Sequence, residues 1–136
     1  MKCVVDASFI ASVLLPDESS NKSTAVLAKL AGERAVSPAI LQLEITNVLL
    51  ISERRKRITG VETTQLLGFF DGLPISLQAE SSAEHRAKVL HLAQKHQLTA
   101  YDAVYLELAV RLAVPLLTLD AALGKAAKVE GVALTL

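Results

Sequence analysis

Met1-Lys2-Cys3-Val4-Val5-Asp6-Ala7-Ser8 is the stretch on which the reading of this chain turns. Cys3-Val4-Val5 is a short apolar run rich in β-branched residues. It ends in a carboxylate and passes into Ala7-Ser8-Phe9-Ile10-Ala11, which reads as the start of a helix. A parallel strand covered on both faces has this form, apolar throughout and followed at once by a crossover helix. In open α/β sheets the ligand crevice lies outside the carboxyl ends of the strands, so Asp6 stands where a site is expected.

Working outward, the first helix runs to about Leu15, where Pro16 stops it. A second helix is expected from the cap material Asp17-Glu18-Ser19-Ser20 to Gly32. Ala35-Val36 is a minimal strand, and Ser37-Pro38 has the form of an N-cap with proline at the first position of a long helix reaching Lys56 or Arg57. Capping-box spacings at Thr59-Gly60-Val61-Glu62, Ser81-Ser82-Ala83-Glu84 and Thr99-Ala100-Tyr101-Asp102 open three further helices. Ile75-Ser76-Leu77 and Pro115–Leu119 read as strands, the latter ending in Asp120. A last helix reaches Gly131, and Val132–Leu134 closes the chain as a short edge strand. Strands alternating with helices predict a three-layer α/β/α domain over residues 1–136, with a mostly parallel sheet of about four to five strands and the first strand near its centre.

Composition narrows the function classes. The 136 residues are 51% hydrophobic, with 14 basic and 14 acidic side chains and a net charge of +0, which provides no global attraction for nucleic acid. Mean hydropathy is +0.41, yet no apolar run approaches the roughly 20 residues of a membrane-spanning helix. Asp6 also interrupts the N-terminal apolar run, so no secretory leader pattern is expected there. The surplus of apolar residues points to a protein–protein surface or to an Ala- and Leu-rich core. Cys3 is the single cysteine; it reads as a core residue, and a reducing, cytoplasmic setting fits. No glycine-rich phosphate loop and no G-x-S-x-G elbow occurs, and the three histidines have no metal-ligand spacing. His85 and His91 read as solvated, and His96 as a helix-end residue.

Four acids remain. Asp6 and Asp120 each follow an apolar strand and precede a helix, so each reads as an N-cap, and as a partner in a shared crevice. Asp102 reads as the acidic member of a capping box at a helix N-terminus. Glu44 is the least readily explained by scaffold alone. On a helical wheel it falls between Ile40 and Ile51 on one side and Val48 and Leu41 on the other, an acid in the middle of an apolar face. It requires a cation, a buried arginine or lysine, or hydrogen-bond donors such as Asn47. Clustered carboxylates repel unless a divalent metal joins them, and all-oxygen donors suit Mg²⁺ or Mn²⁺ rather than zinc. Such a site activates water and stabilises a leaving oxygen in phosphodiester hydrolysis.

The segments Val4-Val5-Asp6-Ala7-Ser8, Leu43-Glu44-Ile45-Thr46-Asn47-Val48-Leu49, Leu98–Leu106 around Asp102, and Leu117-Thr118-Leu119-Asp120 together resemble PIN-domain proteins, and closely the VapC-like toxins of bacterial and archaeal toxin–antitoxin pairs. The resemblance covers essentially the whole chain. It implies a ribonuclease in which Asp6, Glu44, Asp102 and Asp120 are both catalytic and Mg²⁺ or Mn²⁺ ligands, with Ser8, Asn47 and Thr118 supporting those ligands. It also implies an RNA substrate, a homodimer, and a cognate antitoxin whose C-terminal segment covers the acidic groove. Some relatives carry a further acid two positions beyond the last aspartate, where this chain has Ala122. Weaker metal binding, or a second metal held only with RNA, is the consequence expected.

Two further stretches are two-sided. Arg54-Arg55-Lys56-Arg57 complements a helix dipole, or contacts RNA phosphates beside the acidic crevice. Gln65–Phe70 is core, or a surface for a dimer partner or antitoxin. Other readings of the chain are a non-catalytic PIN-like binding module, a structural domain of an obligate complex, or a housekeeping RNA-processing nuclease.

Overall fold

The protein is described by a computed structural model covering residues 2–16, 25–28 and 35–133. Along the chain lie β1 (Cys3–Val5), α1 (Ala7–Leu14), the helical residues 25–28 (α2), β2 (Ala35–Pro38), α3 (Leu41–Arg54), α4 (Gly60–Asp71), β3 (Ile75–Gln78), α5 (Ala83–His96), α6 (Ala100–Leu112), β4 (Leu116–Leu117) and α7 (Ala121–Val129). Most of the second helix expected from Asp17 to Gly32 lies outside the described residues.

The four strands form one parallel sheet in the order β3-β2-β1-β4. β1 is interior because it is apolar on both faces: Cys3, Val4 and Val5 are all fully buried. Val4 sits opposite Val36 on one side and Leu116 on the other. A parallel bridge from Leu116 to Ala133 extends the sheet at the β4 edge, as expected for the chain's last strand; Leu134 lies outside the described residues.

Two sets of helices cover the sheet, completing three α/β/α layers. α3 packs on α1 and α4, while α6 packs on α5 and α7 and crosses β1, β2 and β4. Ile10, Leu41, Ile45, Leu49, Leu106 and Leu123, drawn from both sets, are at most 1% exposed and belong to one contiguous core. Cys3 lies in that core. No helix among the described residues is long and apolar enough to cross a membrane.

Several boundaries differ from expectation. Ser37-Pro38 does not open the long helix; both residues belong to β2, paired in register with Leu77 and Gln78 of β3. β2 has a neighbour on each side, and Ala39 N–H continues the ladder to the Gln78 carbonyl at 2.9 Å. The proline therefore ends a strand, where its missing N–H costs little. α3 starts only after Ile40, which provides no side-chain cap. At α5 the cap is Ser82, not Ser81, accepting from His85 N–H at 3.0 Å. Glu84 thus points outward to Lys88, one turn on. The boxes at Thr59 and Thr99 start their helices where the spacing predicts, and at Thr59 both reciprocal bonds form. Gln65–Phe70 splits: Phe70 is buried and Phe69 is 55% exposed.

Candidate active site

The chain turns from β1 into α1 at Asp6, whose carboxylate accepts three of the about four hydrogen bonds it can take. Oδ1 accepts from the Phe9 N–H at 3.0 Å, capping α1, and from the Ser8 hydroxyl at 2.7 Å. Oδ2 accepts from the Thr118 hydroxyl. Thr118 lies just beyond β4, brought alongside because β1 and β4 are paired. Its oxygen in turn accepts from Asp120 N–H at 3.0 Å, and Ser8 Oγ accepts from Leu119 N–H at 2.9 Å. These bonds explain why β4 stops at Leu117 rather than continuing to Leu119: residues 118 and 119 turn aside to bind the end of β1. Asp120 then caps α7, accepting from Leu123 N–H at 2.8 Å.

The other two acids come from helix N-termini in opposite layers. Glu44 is in the first turn of α3 and Asp102 in the first turn of α6. Glu44 is half-buried and lies at the flank of α3's buried stripe, which runs through Leu41, Ile45, Leu49 and Ser52. It is not at the centre of an apolar face, because Ile51, which the wheel sets beside it, is itself 37% exposed. Its donor is the Tyr105 hydroxyl, 2.5 Å from Oε1 and reaching across from α6. Asn47 does not serve; its side chain is exposed and makes no hydrogen bond among the described residues.

Electrostatics tie the four together. Burial pushes the Asp6 carboxyl above its ordinary value despite hydrogen bonds from Thr118, Phe9 and Ser8, and the charge of Asp120 pushes it the same way. Glu44 is raised by burial, against the Tyr105 hydrogen bond, and further by Asp102 and Asp6. Asp102 is raised by burial and then by Asp120, against its Thr99 hydrogen bond. The Tyr105 hydroxyl is itself held protonated, by burial and then by Glu44. None of the four acids forms an ion pair among the described residues, so each meets the others' charge without a basic partner.

The donor set is all oxygen, which fits a hard divalent cation. Among the described residues no three His, Cys, Asp or Glu side chains close on a single point. Mg²⁺ needs only one or two direct carboxylate ligands, with waters in its other positions.

Arg54, Arg55, Lys56 and Arg57 are exposed at and beyond the C-terminal end of α3. Glu44 is near the opposite end, about 15 Å away along the axis at the helical rise. The cluster is thus not beside the acids. Ala122 is exposed in the first turn of α7.

Two further groups gain their roles from the packing of helices. Tyr105 meets Glu44 only because α3 and α6 converge from opposite layers. Glu107, 3% exposed, accepts from Arg111 Nε at 2.8 Å and faces His85 Nε2 at 3.2 Å. His85 is therefore not a solvated surface residue, and the Glu107-to-Arg111 spacing of an acid one turn before a base was the available clue. His96 does more than complement a helix end: its Nε2 lies 2.7 Å from Glu130 on α7, beside Lys95.

Comparison with known proteins agrees with this architecture. The family model described as the PIN domain matches residues 3–129. The curated ribonuclease VapC3 of Pyrobaculum aerophilum is 35% identical over 127 residues, covering 88% of this chain and 90% of that protein. The crystal structure of PAE2754 from Pyrobaculum aerophilum superposes with a TM-score of 0.72 at 21% identity, over 93% of this chain and 79% of that one. VapC20 of Mycobacterium tuberculosis, a sarcin–ricin loop cleaving toxin, gives 0.64 at 12% identity, over 91% and 94%. The parallel sheet with an aspartate at the end of its interior strand, the match to the PIN-domain model and the likeness to VapC3 lead to one assignment: the chain belongs to the PIN-domain family, as a VapC-like member.

Proposed function

We propose that this chain, as one domain over residues 1–136, is a Mg²⁺- or Mn²⁺-dependent endoribonuclease of the VapC toxin type, cutting single-stranded or loop regions of RNA. The observation that carries the reading is the group of four acids at one end of the sheet, each raised or faced by others of the group and none paired with a base among the described residues. The likeness to a curated ribonuclease supports the same activity.

In this reading Asp6, Glu44, Asp102 and Asp120 hold the metal, directly or through water. When bound there, such an ion would supply Lewis-acid chemistry, lowering the pKa of a water and offsetting charge on the phosphate. Ser8, Thr118 and the Phe9 N–H hold Asp6 in one orientation, and Tyr105 does so for Glu44. Asn47 is left without a supporting role unless its side chain turns. The acids repel an RNA backbone, so cations must draw it in from a distance; Arg54, Arg55, Lys56 and Arg57 suit contacts to the strand flanking the cut, not to the cut itself. A cognate antitoxin covers the acidic groove, the protein works as a homodimer, and it acts in the cytoplasm.

Incubation of the full chain with unstructured RNA tests this. Cleavage is expected with Mg²⁺ or Mn²⁺, absent after chelation and absent in Asp6→Asn. Cleavage that survives in chelator-stripped protein overturns the mechanism. Ala122 favours one second reading, a binding module with a weakened site; calorimetric titration with Mn²⁺ separates them, since the module binds no metal. A short reading frame beside this gene encoding a small DNA-binding protein would favour the toxin over an RNA-processing nuclease.

A further inference from the structure

A hollow of about 340 Å³ opens at the same end of the sheet as the acids. Pro38 at the end of β2 and Gln78 at the end of β3 lie on its rim, with Ile40, Val89 and Val104 among its apolar walls. Tyr101, 63% exposed, lines the hollow and precedes Asp102 in the sequence.

Its polar lining is a built arrangement. Glu107 is buried, and both its oxygens are occupied: Oε1 by Arg111 Nε at 2.8 Å, Oε2 by His85 Nε2 at 3.2 Å and a terminal Arg111 nitrogen at 3.4 Å. The carboxylate thus orients the guanidinium instead of offering itself to a ligand. Arg111 is one-third exposed, and its nearest other acid, Glu80, is 3.8 Å away, beyond hydrogen-bond length. Its remaining N–H groups are held in a fixed fork without a close acceptor among the described residues.

We propose that this hollow is a nucleobase pocket, which gives the proposed ribonuclease its sequence preference and so rests on that reading. Bases of single-stranded RNA are recognised when splayed out, stacked on an aromatic ring and hydrogen-bonded along an edge. Tyr101 provides the ring at the mouth, the apolar walls receive the base faces, and Arg111 reads the edge. A guanidinium fork donates only, so it favours a base edge with two adjacent acceptors, which guanine offers through O6 and N7 and adenine does not. An apolar side chain from a second copy of the protein fits less well, because covering Arg111 would strip its free N–H groups of water without replacing it.

The test uses the full chain with Mn²⁺ and uridine-rich RNA oligonucleotides carrying one guanine, one adenine or neither at a fixed position. The parent is expected to cut at a constant offset from guanine, roughly ten- to a hundredfold faster than the adenine strand. Arg111→Met should equalise the two. Because that variant also removes a partner of buried Glu107, Ala79→Trp, which fills the mouth from an exposed position, and Tyr101→Ala provide the same test. Either should abolish the preference. Preference retained in both overturns the pocket and leaves the nuclease standing. Anisotropy binding in chelator separates the two failures: guanine-selective binding lost in the variants supports the pocket even where no RNA is cut. A dimer-to-monomer shift on sedimentation with unchanged preference assigns the hollow to contact between copies and overturns the proposal.

Discussion

Helix α6 carries two acids about one and a half turns apart, and they are handled in opposite ways. Asp102, in the first turn, is raised by burial and by Asp120, with no basic partner among the described residues. Glu107, deeper in the helix and almost fully buried, is clasped by Arg111 and His85. Glu130 on α7 belongs with Glu107: Lys95 and His96 hold its carboxyl below the usual range. One set of acids has its counter-charge built into the chain, and the other set meets only neutral donors and further acids among the described residues. A scaffold acid is recognisable by what neutralises it, and a cation site by the lack of anything that does.

The largest expected effect lies on the unpaired side. Asp6→Asn keeps the shape of the turn and its cap on α1, but removes a charge. RNA cleavage should fall by at least about 10²–10³-fold, the scale of losing one preorganised electrostatic contact in a catalytic site. Unchanged cleavage rates would dissolve the distinction between the two sets.

On the paired side the effect should be on stability. Glu107→Gln leaves Arg111 and His85 without their carboxylate, and a loss of roughly 3 kcal/mol is expected in urea melts, at the low end for a buried pair because Arg111 is one-third exposed. A loss below about 0.5 kcal/mol would show that Glu107 is no structural anchor.

pH separates the sets by sign. Asp6, Glu44 and Asp102 are raised on folding, so the folded chain binds more protons than the unfolded one just above the ordinary carboxylate range. The metal-free protein should be most favoured by these groups below their unfolded values and should lose stability as pH rises through the raised ones. Glu130 does the reverse: its contribution is present above its unfolded value and is lost as pH falls through the lowered one. Urea midpoints across this range in chelator, repeated for Glu130→Gln, sort the two slopes. Added Mn²⁺ should remove the loss on the alkaline side, and a loss unaffected by metal would count against a cation site.

The smallest expected change is the most discriminating for Glu44. Glu44→Gln keeps an acceptor for Tyr105 and removes repulsion from Asp102 and Asp6, so metal-free stability should stay within about 0.5 kcal/mol or rise. A loss of roughly 3–5 kcal/mol with near-normal cleavage would make Glu44 a structural residue.

Strand identity, helix order and the places of Asp6, Asp102 and Asp120 were legible because they follow local rules: apolar runs ending in an acid, and hydroxyl caps three residues ahead of an amide. Pro38 misled because an isolated Ser-Pro pair looks the same at a helix start and a strand end; only the two neighbours of β2 decide it. Glu44's need for a donor was visible, but Tyr105 is 61 residues away and no spacing rule connects them. The spacing of Glu107 to Arg111 was visible, but its burial was not, since that depends on α5 lying across α6.

The pairing of β1 with β4 also has a consequence during synthesis. The bond from Thr118 to Asp6 spans 112 residues, so the first carboxylate of the chain waits for nearly the last strand before it is aimed. At about 5–20 residues per second on the ribosome, that wait lasts several seconds. Until residue 118 has been made and has emerged, Asp6 has its local cap but neither the Thr118 hydroxyl nor a β4 neighbour beside it. The nascent chain therefore grows by at least 112 residues with the centre unassembled, next to the RNA machine that makes it.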